Sequence, residues 1–336
     1  MIDVVIPAYR SLDHTRRCVE SVLAAPCVTP HELTVIDDAS PEPALSEWLR
    51  GLAAAERITL VAHDANRGFV ASANEGMALH PDRDVVLLNS DTEVAEGWLD
   101  RLAAHGRRDP TVATATPFST NATICSYPRT LADNALPAGE TTASLDRAFA
   151  TANAGRACEI PTGVGFCMWI SRRCLDGIGR FDEARYGAGY GEEVDFCMRA
   201  ARAGFHHVLA GDVFVFHVGE VSFGKSGIER RARAQAEVDA LYPEFQQRLA
   251  AFIPSDPPRM LRRRADLERL RRNPGQLRVA PAAGRSLKLD WPRAGEEFAL
   301  WLHPQRDRGG LAALREALAG SAPLPDIDAR WLASAA

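Results

Sequence analysis

The chain has 336 residues, enough for one large α/β domain with an appendage or for two domains, and its hydrophobic fraction of 46% argues against overall disorder. The net charge of −5 excludes a nucleic-acid binder that depends on its global field, so no nucleic-acid partner is expected. Because no apolar run approaches the roughly 20 residues of a membrane-spanning helix and the N-terminus lacks a signal-peptide pattern, we expect a cytoplasmic protein.

The first hundred residues alternate strand and helix patterns. Strands are predicted at DVVIPAY, ELTVIDDAS, RITLVAH and DVVLLNSD, and helices at Leu12–Ala25, at PALSEWLRGLAAAE and at Phe69–Leu79. Short strands that are apolar on both faces and separated by helices are typical of a parallel sheet with helices on both sides. The predicted fold class is therefore α/β.

Polar residues follow each of these four strands at the point where it ends. The segments at these ends are Pro7, Ala8 and Tyr9, of which Tyr9 is polar, then Asp37 and Asp38, then Asn66, Arg67 and Gly68, and finally Asn89, Ser90 and Asp91. In open parallel sheets, ligands bind beyond the carboxyl ends of the strands, where the strand order reverses. The pattern predicts a ligand site at this edge of the sheet.

The alternation is looser beyond residue 110. The segment Thr111–Pro137 is rich in Thr, Ser, Asn and Pro, so we predict irregular structure that lies over the site. IPTGVGFCMWIS is predicted to be a strand whose glycines allow a ligand or backbone to approach closely. GYGEEVDFCMRARAGF indicates a glycine-rich loop before a helix with an acidic first turn, and HHVLAGDVFVFHVG indicates one or two more strands.

From Ile228 the sequence becomes charged and favours helices. Ile228–Phe252 is predicted to be a helix packed on the first domain, and PSDPP a linker or break. Arg259–Arg272 is a basic helix that is either solvated, with Asp266 and Glu268 among its arginines, or in contact with anionic lipid headgroups. FALWLHPQRDRGGLAALREALAG has strand, glycine-turn and helix patterns, which fit a small accessory domain or the start of a further domain.

The seven cysteines are scattered along the chain and form no CxxC pair. An odd number without that spacing favours neither a disulfide framework nor a zinc ribbon. We expect reduced thiols packed in the core of a cytosolic protein.

Asp91 follows a buried strand, and Asn89 lies on the same side of the pleat. Their oxygens could hold a hard cation such as Mg²⁺ or Mn²⁺ and leave positions for water and phosphate oxygens. Alternatively, Asp91 or Thr92 caps a helix at Glu96–His105. The residues alone leave both interpretations open.

Three acids, Glu192, Glu193 and Asp195, stand together before a predicted helix. They either complement the positive end of the helix dipole or crowd one another enough to raise a pKa, which suits a general base. His217 leaves a strand before a polar loop with glycines, so it is either a satisfied edge histidine or a ligand. His206 and His207 are adjacent on a strand and face opposite ways, so they cannot form a paired site.

These motifs occur in a recognisable order. The chain contains, in sequence, VVIPAYR, VIDDAS, NRGFVASANEGM, LLNSDTEV, GVGFCMWI, GRFDE, GYGEEVDFCMRA and HVGEVSF. This order resembles the nucleotide-sugar glycosyltransferases of the GT-A fold, family 2, and in particular their bacterial rhamnosyltransferase-like branch. The resemblance covers roughly residues 1–225, and the order and spacing of the motifs are more specific than any one of them.

The resemblance implies a GT-A catalytic domain at residues 1–227 with a mainly parallel central sheet, a helical extension at 228–275 and an accessory segment at 276–336. It also implies roles on the donor side. Pro7, Ala8 and Tyr9 line the nucleoside pocket, Asp38 or else Asp37 binds the base or ribose, Asn66, Arg67 and Gly68 border the pocket, and Asn74, Asn89 and Ser90 belong to the donor side.

For catalysis, the resemblance implies that Asp91 holds a divalent metal, Mn²⁺ or Mg²⁺, with His217 as its second protein ligand. Glu193 stands at the position of the catalytic base, and Glu192 and Asp195 flank it and contact the acceptor. The sequence departs from the family pattern at Asn89, where the motif usually has a first Asp, and at Glu193, where Asp is commoner. No QxxRW motif follows the acidic helix, which favours single addition over polymerisation.

The implied function is an inverting, metal-dependent transfer of a sugar from a UDP- or dTDP-linked donor to a hydroxyl of a glycan or lipid-linked acceptor, in cell-surface glycan assembly. A lipid-linked acceptor would suit peripheral contact of Arg259–Arg272 with the inner face of a membrane. One alternative is a nucleotide-sugar-binding scaffold without catalysis. Another is a sugar nucleotidyltransferase, which needs a Gly-rich basic loop where this chain has PAYRSLDHTR, and a dehydrogenase would need GxGxxG there.

Overall fold

The computed structural model describes residues 1–137, 139–187, 189–219, 227–272, 278–282, 286–293 and 296–302. Its N-terminal part alternates strands and helices as the hydrophobic pattern predicts. The elements are β1 (Ile2–Ala8), α1 (Leu12–Ala24), β2 (His31–Asp37), α2 (Pro43–Ala54), β3 (Thr59–Ala62), α3 (Phe69–Ala78) and β4 (Asp84–Leu88). The four strands and three helices predicted for this region are confirmed.

The next part of the chain, from residue 92 to residue 217, has shorter and more varied elements. They are β5 (Thr92–Glu93), α4 (Trp98–Gly106), β6 (Val112–Phe118), a 3₁₀ turn (Thr123–Cys125), α5 (Thr142–Asn153), β7 (Ala157–Ile160), β8 (Cys167–Ile170), α6 (Arg172–Ile178), α7 (Glu183–Tyr186), α8 (Glu192–Arg202), β9 (His206–Phe214) and β10 (Phe216–His217). The predicted helix with an acidic first turn is α8, and the predicted last strands are β9 and β10.

Two predictions for this part were wrong. Residues 112–118 are not irregular but form β6, which is buried along its whole length. Its threonines fit there because their hydroxyls find partners inside, as Thr114 Oγ1 does with His207 Nδ1 at 2.8 Å. IPTGVGFCMWIS is not one strand, since its glycines lie in a loop between β7 and β8.

One eight-stranded sheet, in the order β3-β2-β1-β4-β8-β6-β9-β7, forms the centre of the molecule. The neighbours from β3 to β4 are all parallel, and so are β6 and β9. β8 runs antiparallel between β4 and β6, and β7 is antiparallel to β9. The mixed and mainly parallel sheet confirms the predicted α/β class.

Both faces of the central strands are buried, which explains why they are apolar without alternation. In β4, Val86 and Leu88 pack into one core cluster and Val85 and Leu87 into the other, and each is at most 1% exposed. Burial of each such side chain stabilises the fold by about 1.5–3 kcal/mol. The sheet is therefore a rigid base for the residues at its strand ends.

The C-terminal part of the structure contains three helices and a small sheet. They are α9 (Gly227–Leu241), α10 (Pro243–Ser255), α11 (Arg259–Arg272), β11 (Arg278–Ala282), β12 (Ser286–Arg293) and β13 (Glu296–Leu302), and the three strands form an antiparallel sheet in chain order. The helix predicted at Ile228–Phe252 is interrupted at Tyr242, because Pro243 starts a new helix. The glycine turn and helix predicted after β13 lie outside the described residues, and the domain boundaries stay a prediction.

The arginine-rich helix α11 packs against α5 and is not the solvated helix that the sequence left open. Tyr127 donates its hydroxyl to Asp266 Oδ1 at 2.5 Å, and Arg269 donates to the Tyr127 hydroxyl oxygen at 2.6 Å. Arg269 also pairs with Glu140 at 3.1 Å. Buried acids on both sides of this contact draw the guanidinium inwards. Among the described residues, no helix is both long and apolar enough to cross a membrane.

Candidate active site

Asp91 and His217 face each other at the carboxyl end of β4. The two-stranded ribbon of β5 and β10 pairs His217 with Thr92, and it places His217 Nε2 3.3 Å from Asp91 Oδ1. The other oxygen, Asp91 Oδ2, accepts the backbone N–H of Gly219 at 3.1 Å. The ribbon thus joins two predicted site residues that are distant in the sequence.

The helix-cap interpretation of this region is wrong. The helix α4 begins at Trp98, and Gly97 occupies its cap position in a left-handed conformation without any side-chain cap. Thr92 instead donates its hydroxyl to the carbonyl of Asn89 at 2.8 Å. Asp91 therefore has no role in starting that helix.

The hydrogen bonds of His217 determine which ring nitrogen faces Asp91. Nδ1 lies 2.6 Å from the carbonyl oxygen of Asn121, which can only accept, so Nδ1 carries a proton. Nε2 and the Asp91 carboxylate would then be two acceptors 3.3 Å apart unless a proton or a metal cation joins them. A proton or a cation between His217 Nε2 and the Asp91 carboxylate is therefore favoured.

The electrostatics of the pair agree with that geometry. Burial raises the pKa of Asp91, but the hydrogen bond and charge of His217 lower it, and the net shift is downward. Burial lowers the pKa of His217, but the hydrogen bond and charge of Asp91 raise it, and the net shift is upward. Each group favours the charged state of the other.

The donor set fits a divalent cation. Asp91 offers a carboxylate oxygen and His217 offers Nε2 with its other nitrogen already engaged. The Asn89 amide nitrogen, which is not itself a metal ligand, lies 3.5 Å from Nε2. Oxygen ligands suit Mg²⁺ and Mn²⁺, and an imidazole held through its second nitrogen is a common metal ligand. Both side chains are 12% exposed, which leaves one side open to a ligand.

A second group of possible metal ligands lies at the opposite edge of the sheet. Asp3 and Glu32 belong to the first residues of β1 and β2, and His80 lies next to Asp3. Arg83 Nη1 donates to both carboxylates at 2.9 Å, so a guanidinium already supplies the positive charge there. This cluster is an ion-pair network away from the carboxyl ends of the strands.

Glu193 lies on the first turn of α8, close to this pair. Its Oε1 accepts the backbone N–H of Gly165 at 2.9 Å, and the side chain is partly exposed. Burial raises the pKa of Glu193, although the Gly165 hydrogen bond and the charge of His217 lower it in part. A carboxylate with a raised pKa, whose second oxygen has no hydrogen-bond partner among the described residues, can take up a proton.

Glu192 is more deeply placed than its neighbour. It is 3% exposed, and its Oε2 is buried with no hydrogen-bond partner among the described residues. Burial and the charge of Glu193 raise the pKa of Glu192. The crowding of acids that the sequence left open does occur, and the two glutamates share it.

The loop before β8 connects these groups. Gly165 holds Glu193, and the ring of Phe166 stacks on the His217 imidazole with centroids 5.1 Å apart and planes 21° apart. The carbonyl of Phe166 also accepts the backbone N–H of Asn89 at 2.8 Å. Gly165 and Phe166 were not among the predicted site residues, although the glycines of this segment indicated a close approach.

Asp195 has a different environment from the other two acids. Its Oδ2 accepts from Arg199 Nε at 2.8 Å and its Oδ1 from the Tyr242 hydroxyl at 2.6 Å. At 3% exposure, both oxygens are taken up by interactions within the protein. The side chain ties α8 to the segment between α9 and α10.

Asp38 organises the loop that was predicted to border the nucleoside pocket. Its Oδ1 accepts from the Arg67 backbone N–H and lies near His63 Nδ1, both at 2.7 Å. Its Oδ2 accepts from the Gly68 N–H at 2.8 Å and from Asn66 Nδ2 at 2.9 Å. Asp38 therefore gathers Asn66, Arg67 and Gly68 around one carboxylate.

His63 extends this network, and sequence reasoning missed it. Its second ring nitrogen, Nε2, lies 3.0 Å from Glu75, and Arg67 Nη1 donates to the same carboxylate at 2.7 Å. Each ring nitrogen of His63 therefore lies beside a carboxylate oxygen, which fixes the orientation of the ring. Its position directly after β3 was the available signal.

The side chains of Asp37 and Asn74 form hydrogen bonds within the protein and do not line the open part of the site. Asp37 Oδ1 accepts the Ser40 N–H at 2.9 Å, and its Oδ2 accepts the Ser46 hydroxyl, which fixes the entry to α2. Asn74 both donates to and accepts from the backbone of Phe181 at 3.0 Å, which ties α3 to the GRFDE segment. Asn74 thus supports this side of the site from behind.

Pro7, Ala8 and Tyr9 close β1, and the chain then turns sharply. Arg10 and Ser11 both have positive φ, 65° and 62°, and the Arg10 guanidinium lies 5.1 Å from the Tyr9 ring centre. Glu42 accepts the N–H groups of Ser11 and Leu12 at 2.9 and 3.1 Å. These first amides of α1 are therefore not free for a phosphate, unlike those of dinucleotide-binding folds.

Comparisons with known proteins identify the family of this chain. Residues 3–179 match the family model described as glycosyl transferase family 2. The chain is 29% identical over 209 residues to the pre-mycofactocin glycosyltransferase of Mycobacterium tuberculosis, covering 60% of this chain and 39% of that protein. It is 36% identical over 103 residues to the succinoglycan biosynthesis protein ExoO of Rhizobium meliloti, covering 30% and 28%. The chain spans between 27% and 39% of the length of the curated relatives it matches.

The fold is similar to that of a mannosyltransferase, PcManGT of Pyrobaculum calidifontis, solved in complex with GDP-Man and Mn²⁺. The TM-score is 0.54 at 17% identity, covering 99% of this chain and 79% of that one. This likeness confirms the predicted GT-A fold. It does not test the rhamnosyltransferase-like branch, which stays a prediction. Glu193 and His217 lie beyond the family match, so their roles rest on geometry.

Proposed function

Because the chain belongs to glycosyl transferase family 2 and is a glycosyltransferase, we propose that it transfers one sugar from a nucleotide diphosphate to an acceptor hydroxyl, with inversion and with a divalent metal. The observation that supports this most is the meeting of Asp91, His217 and Glu193 around the Gly165–Phe166 loop. Such a transfer needs a metal site and a general base. In this chain one short loop contacts a residue of each.

Asp91 and His217 would hold the divalent metal, Mn²⁺ or Mg²⁺, with Asn89 beside them. When bound, the cation supplies Lewis-acid stabilisation of the departing diphosphate. The pairing of His217 with Asp91 is prepared for this by the Nδ1–H bond to Asn121, which keeps Nε2 directed at the carboxylate. The shared need for positive charge between the two side chains favours a cation there.

Glu193 would act as the base. It takes the proton from the acceptor hydroxyl while the oxygen attacks the anomeric carbon, the new C–O bond forms, and the bond to the diphosphate breaks with its electron pair. Attack from the face opposite the leaving group inverts the anomeric configuration. The Gly165 N–H holds Oε1 at 2.9 Å and so orients the carboxylate. A positioned general base contributes about 10²–10⁴-fold to rate.

On the donor side, we propose that the Asn66–Gly68 loop and Tyr9 border the nucleoside. Asp38 acts mainly by shaping that loop, because four hydrogen-bond partners occupy its carboxylate. Asp37, Asn74 and Ser90 support the same edge. The donor nucleotide is proposed to be UDP or dTDP, and this part rests on the resemblance to the rhamnosyltransferase-like branch.

The acceptor is proposed to be a glycan or a lipid-linked saccharide in cell-surface polysaccharide assembly. The similarity to a succinoglycan biosynthesis protein supports the polysaccharide context. Glu192 lies beside the base at 3% exposure and is proposed to contact the acceptor. Asp195 would act through α8, since its own oxygens are engaged.

Peripheral membrane contact through Arg259–Arg272 belongs to the same proposal. Met260, Arg264, Arg271 and Arg272 are exposed on α11, whereas Arg262, Arg263 and Arg269 are buried, so the exposed side chains are the ones that could meet a lipid headgroup region. Co-sedimentation with vesicles that contain anionic lipid should be weaker for Arg264→Glu than for the native chain. Equal sedimentation of both would remove this contact from the proposal.

The function is tested by a melting-temperature screen against UDP-, dTDP- and GDP-linked sugars with and without Mn²⁺. A ligand at a hundred times its dissociation constant stabilises the protein by about 2.7 kcal/mol, which gives a clear shift. Slow release of the nucleoside diphosphate from the donor found in this way should need Mn²⁺ and stop on chelation. Release that chelation leaves unchanged would contradict metal dependence, and the absence of binding to any donor would contradict the whole proposal.

A further inference from the structure

Residues 120 and 121 enclose the backbone and the ring of His217 from the side opposite Asp91. The Thr120 hydroxyl donates to the His217 carbonyl at 2.7 Å and accepts the His217 N–H at 3.3 Å. Asn121 Nδ2 donates to the carbonyls of His217 and Val218 at 3.0 and 2.7 Å. The Asn121 carbonyl accepts the ring Nδ1–H. Both the backbone and the imidazole of His217 are thus tied to two adjacent residues.

This two-residue segment is itself fixed by a buried side chain. Asn134, which is 7% exposed, gives its backbone N–H to Asn121 Oδ1 at 2.9 Å and its Nδ2 to the Thr120 carbonyl at 3.0 Å. Thr120 is fully buried. Gly219 has a φ of +80°. A Cβ atom placed on this glycine would lie 3.3 Å from the Asn121 side chain, so the two residues are closely packed. The segment is packed on both sides and has no evident freedom to follow a displaced histidine.

We propose that Asn121 is a positioning residue for His217 and thereby sets the affinity of the Asp91–His217 pair for a divalent cation. The inference rests on the proposed function, because it presumes that this pair holds the metal. Asn121 does not reach the cation itself. Its side-chain amide acts by fixing where the backbone of His217 and Val218 lies, and thereby where the imidazole stands against the carbonyl of residue 121.

The physical basis is the coupling between an outer-shell hydrogen bond and a metal ligand. An N–H bond from the distant ring nitrogen sets the tautomer and the ring orientation, and loss of such partners typically weakens metal affinity or activity about 10–100-fold. In this chain the Phe166 stack restricts rotation from one side and Asn121 from the other. Removing the side-chain amide of Asn121 leaves the backbone of residues 217–218 less restrained. The position of His217 Nε2 then varies more.

The test compares the native chain with Asn121→Ala, and uses Asp133→Ala as a control because Asp133 is an exposed residue of the same segment. Mn²⁺ binding is measured by the electron paramagnetic resonance signal of free Mn²⁺ in the presence of UDP. We expect the dissociation constant to rise about 10–100-fold for Asn121→Ala and to stay unchanged for the control. Saturating Mn²⁺ should restore the turnover of the variant to within about threefold, since Asn121 touches neither donor nor base.

A second readout does not depend on metal or activity. Amide hydrogen exchange of the metal-free protein should be faster at His217 and Gly219 in Asn121→Ala than in the native chain, because the side-chain amide no longer holds the carbonyls of His217 and Val218. If Asn121→Ala does not fold, Thr120→Val removes the hydroxyl bonds to His217 with little change in volume and should shift Mn²⁺ affinity in the same direction.

Unchanged Mn²⁺ affinity in folded Asn121→Ala would overturn the inference while leaving the proposed function in place. Failure of the native chain to bind Mn²⁺ with UDP would overturn the metal site itself and this inference with it. Reduced turnover that saturating Mn²⁺ does not restore would mean that Asn121 acts on something other than the metal.

Discussion

Gly165 gives its backbone N–H to Glu193 Oε1 at 2.9 Å, and a methyl group on the same residue would lie 2.1 Å from that oxygen. The close approach explains why the loop before β8 has glycine here, although its φ is not in the left-handed region. The pair joins a loop of the central sheet to the first turn of α8, and so fixes the carboxylate that we assign as the base.

Gly165→Ala should therefore displace Glu193 without unfolding the protein. Because a misplacement of about 1 Å can reduce a rate about 10²-fold, we expect turnover to fall by at least that factor while the melting temperature changes little. Gly51→Ala is the matched control, since a Cβ there meets nothing within 4 Å. Equal turnover of Gly165→Ala and the native chain would show that this contact does not orient the base.

The Asp91–His217 pair predicts a specific loss of metal-dependent binding. In Asp91→Asn the carboxylate charge disappears, so stabilisation by UDP should no longer increase when Mn²⁺ is added. Differential scanning fluorimetry with UDP, with and without Mn²⁺, measures the effect. The exposed acid Glu96 provides a control with the same change of charge, Glu96→Gln, in which the Mn²⁺ increment should persist. Persistence of the increment in Asp91→Asn would place the metal elsewhere.

The burial of Glu192 predicts that the Glu192→Gln variant is more stable than the native chain at alkaline pH. Its pKa is raised by burial and by the charge of Glu193, so the stability it contributes is complete below its unfolded pKa and is lost as pH rises through the raised folded value. Glu192→Gln removes that loss. At alkaline pH the variant should be more stable than the native chain by at least about 1.4 kcal/mol, the equivalent of one pKa unit, with the difference vanishing near pH 4.

Urea unfolding of both proteins across this pH range measures the difference. A variant that is less stable than the native chain at alkaline pH would contradict the account, since it would show that the ionised Glu192 makes favourable contacts in the fold.

The hydrogen bonds of Tyr127 at the contact between α11 and the rest of the structure predict that removing its hydroxyl lowers the stability of the fold. Tyr127→Phe leaves Asp266 and Arg269 each without one hydrogen bond, at a cost of about 1–3 kcal/mol in the free energy of unfolding. Burial raises the pKa of Asp266 to about 6, although Arg269 and Tyr127 lower it. The loss should therefore be larger at pH 8, where Asp266 is ionised, than at pH 5.

Urea unfolding at the two pH values provides the comparison. A Tyr127→Phe variant as stable as the native chain at pH 8 would mean that this buried network does not hold α11 in place.

The sequence predicted the positions that follow from hydrophobic pattern and failed where partners are distant in the chain. The apolar run of β4 pointed to Asp91 at its end, and the strand exit pointed to His217. Gly165 and Asn121 could not be found in this way, because each acts through a backbone contact to a residue in another element. A pattern of residue types does not record such contacts.

The roles of polar residues at the strand ends show the same limit. Asp38 was expected to bind the base or ribose, yet its oxygens are surrounded by Asn66, Arg67, Gly68 and His63. A carboxylate at a strand end can contact a ligand or organise a loop, and only its hydrogen-bond partners separate the two. The environment of α11 was left open for the same reason, since the buried partners of Arg269 come from other elements.

The turnover of Glu193→Gln with the donor found by the screen tests the central claim most directly. The amide keeps the size of the side chain but cannot take up a proton, so Mn²⁺-dependent donor binding should match that of the native chain while release of nucleoside diphosphate falls about 10²–10⁴-fold. Donor binding and release that both equal those of the native chain would contradict the assignment of Glu193, and with it the proposed site.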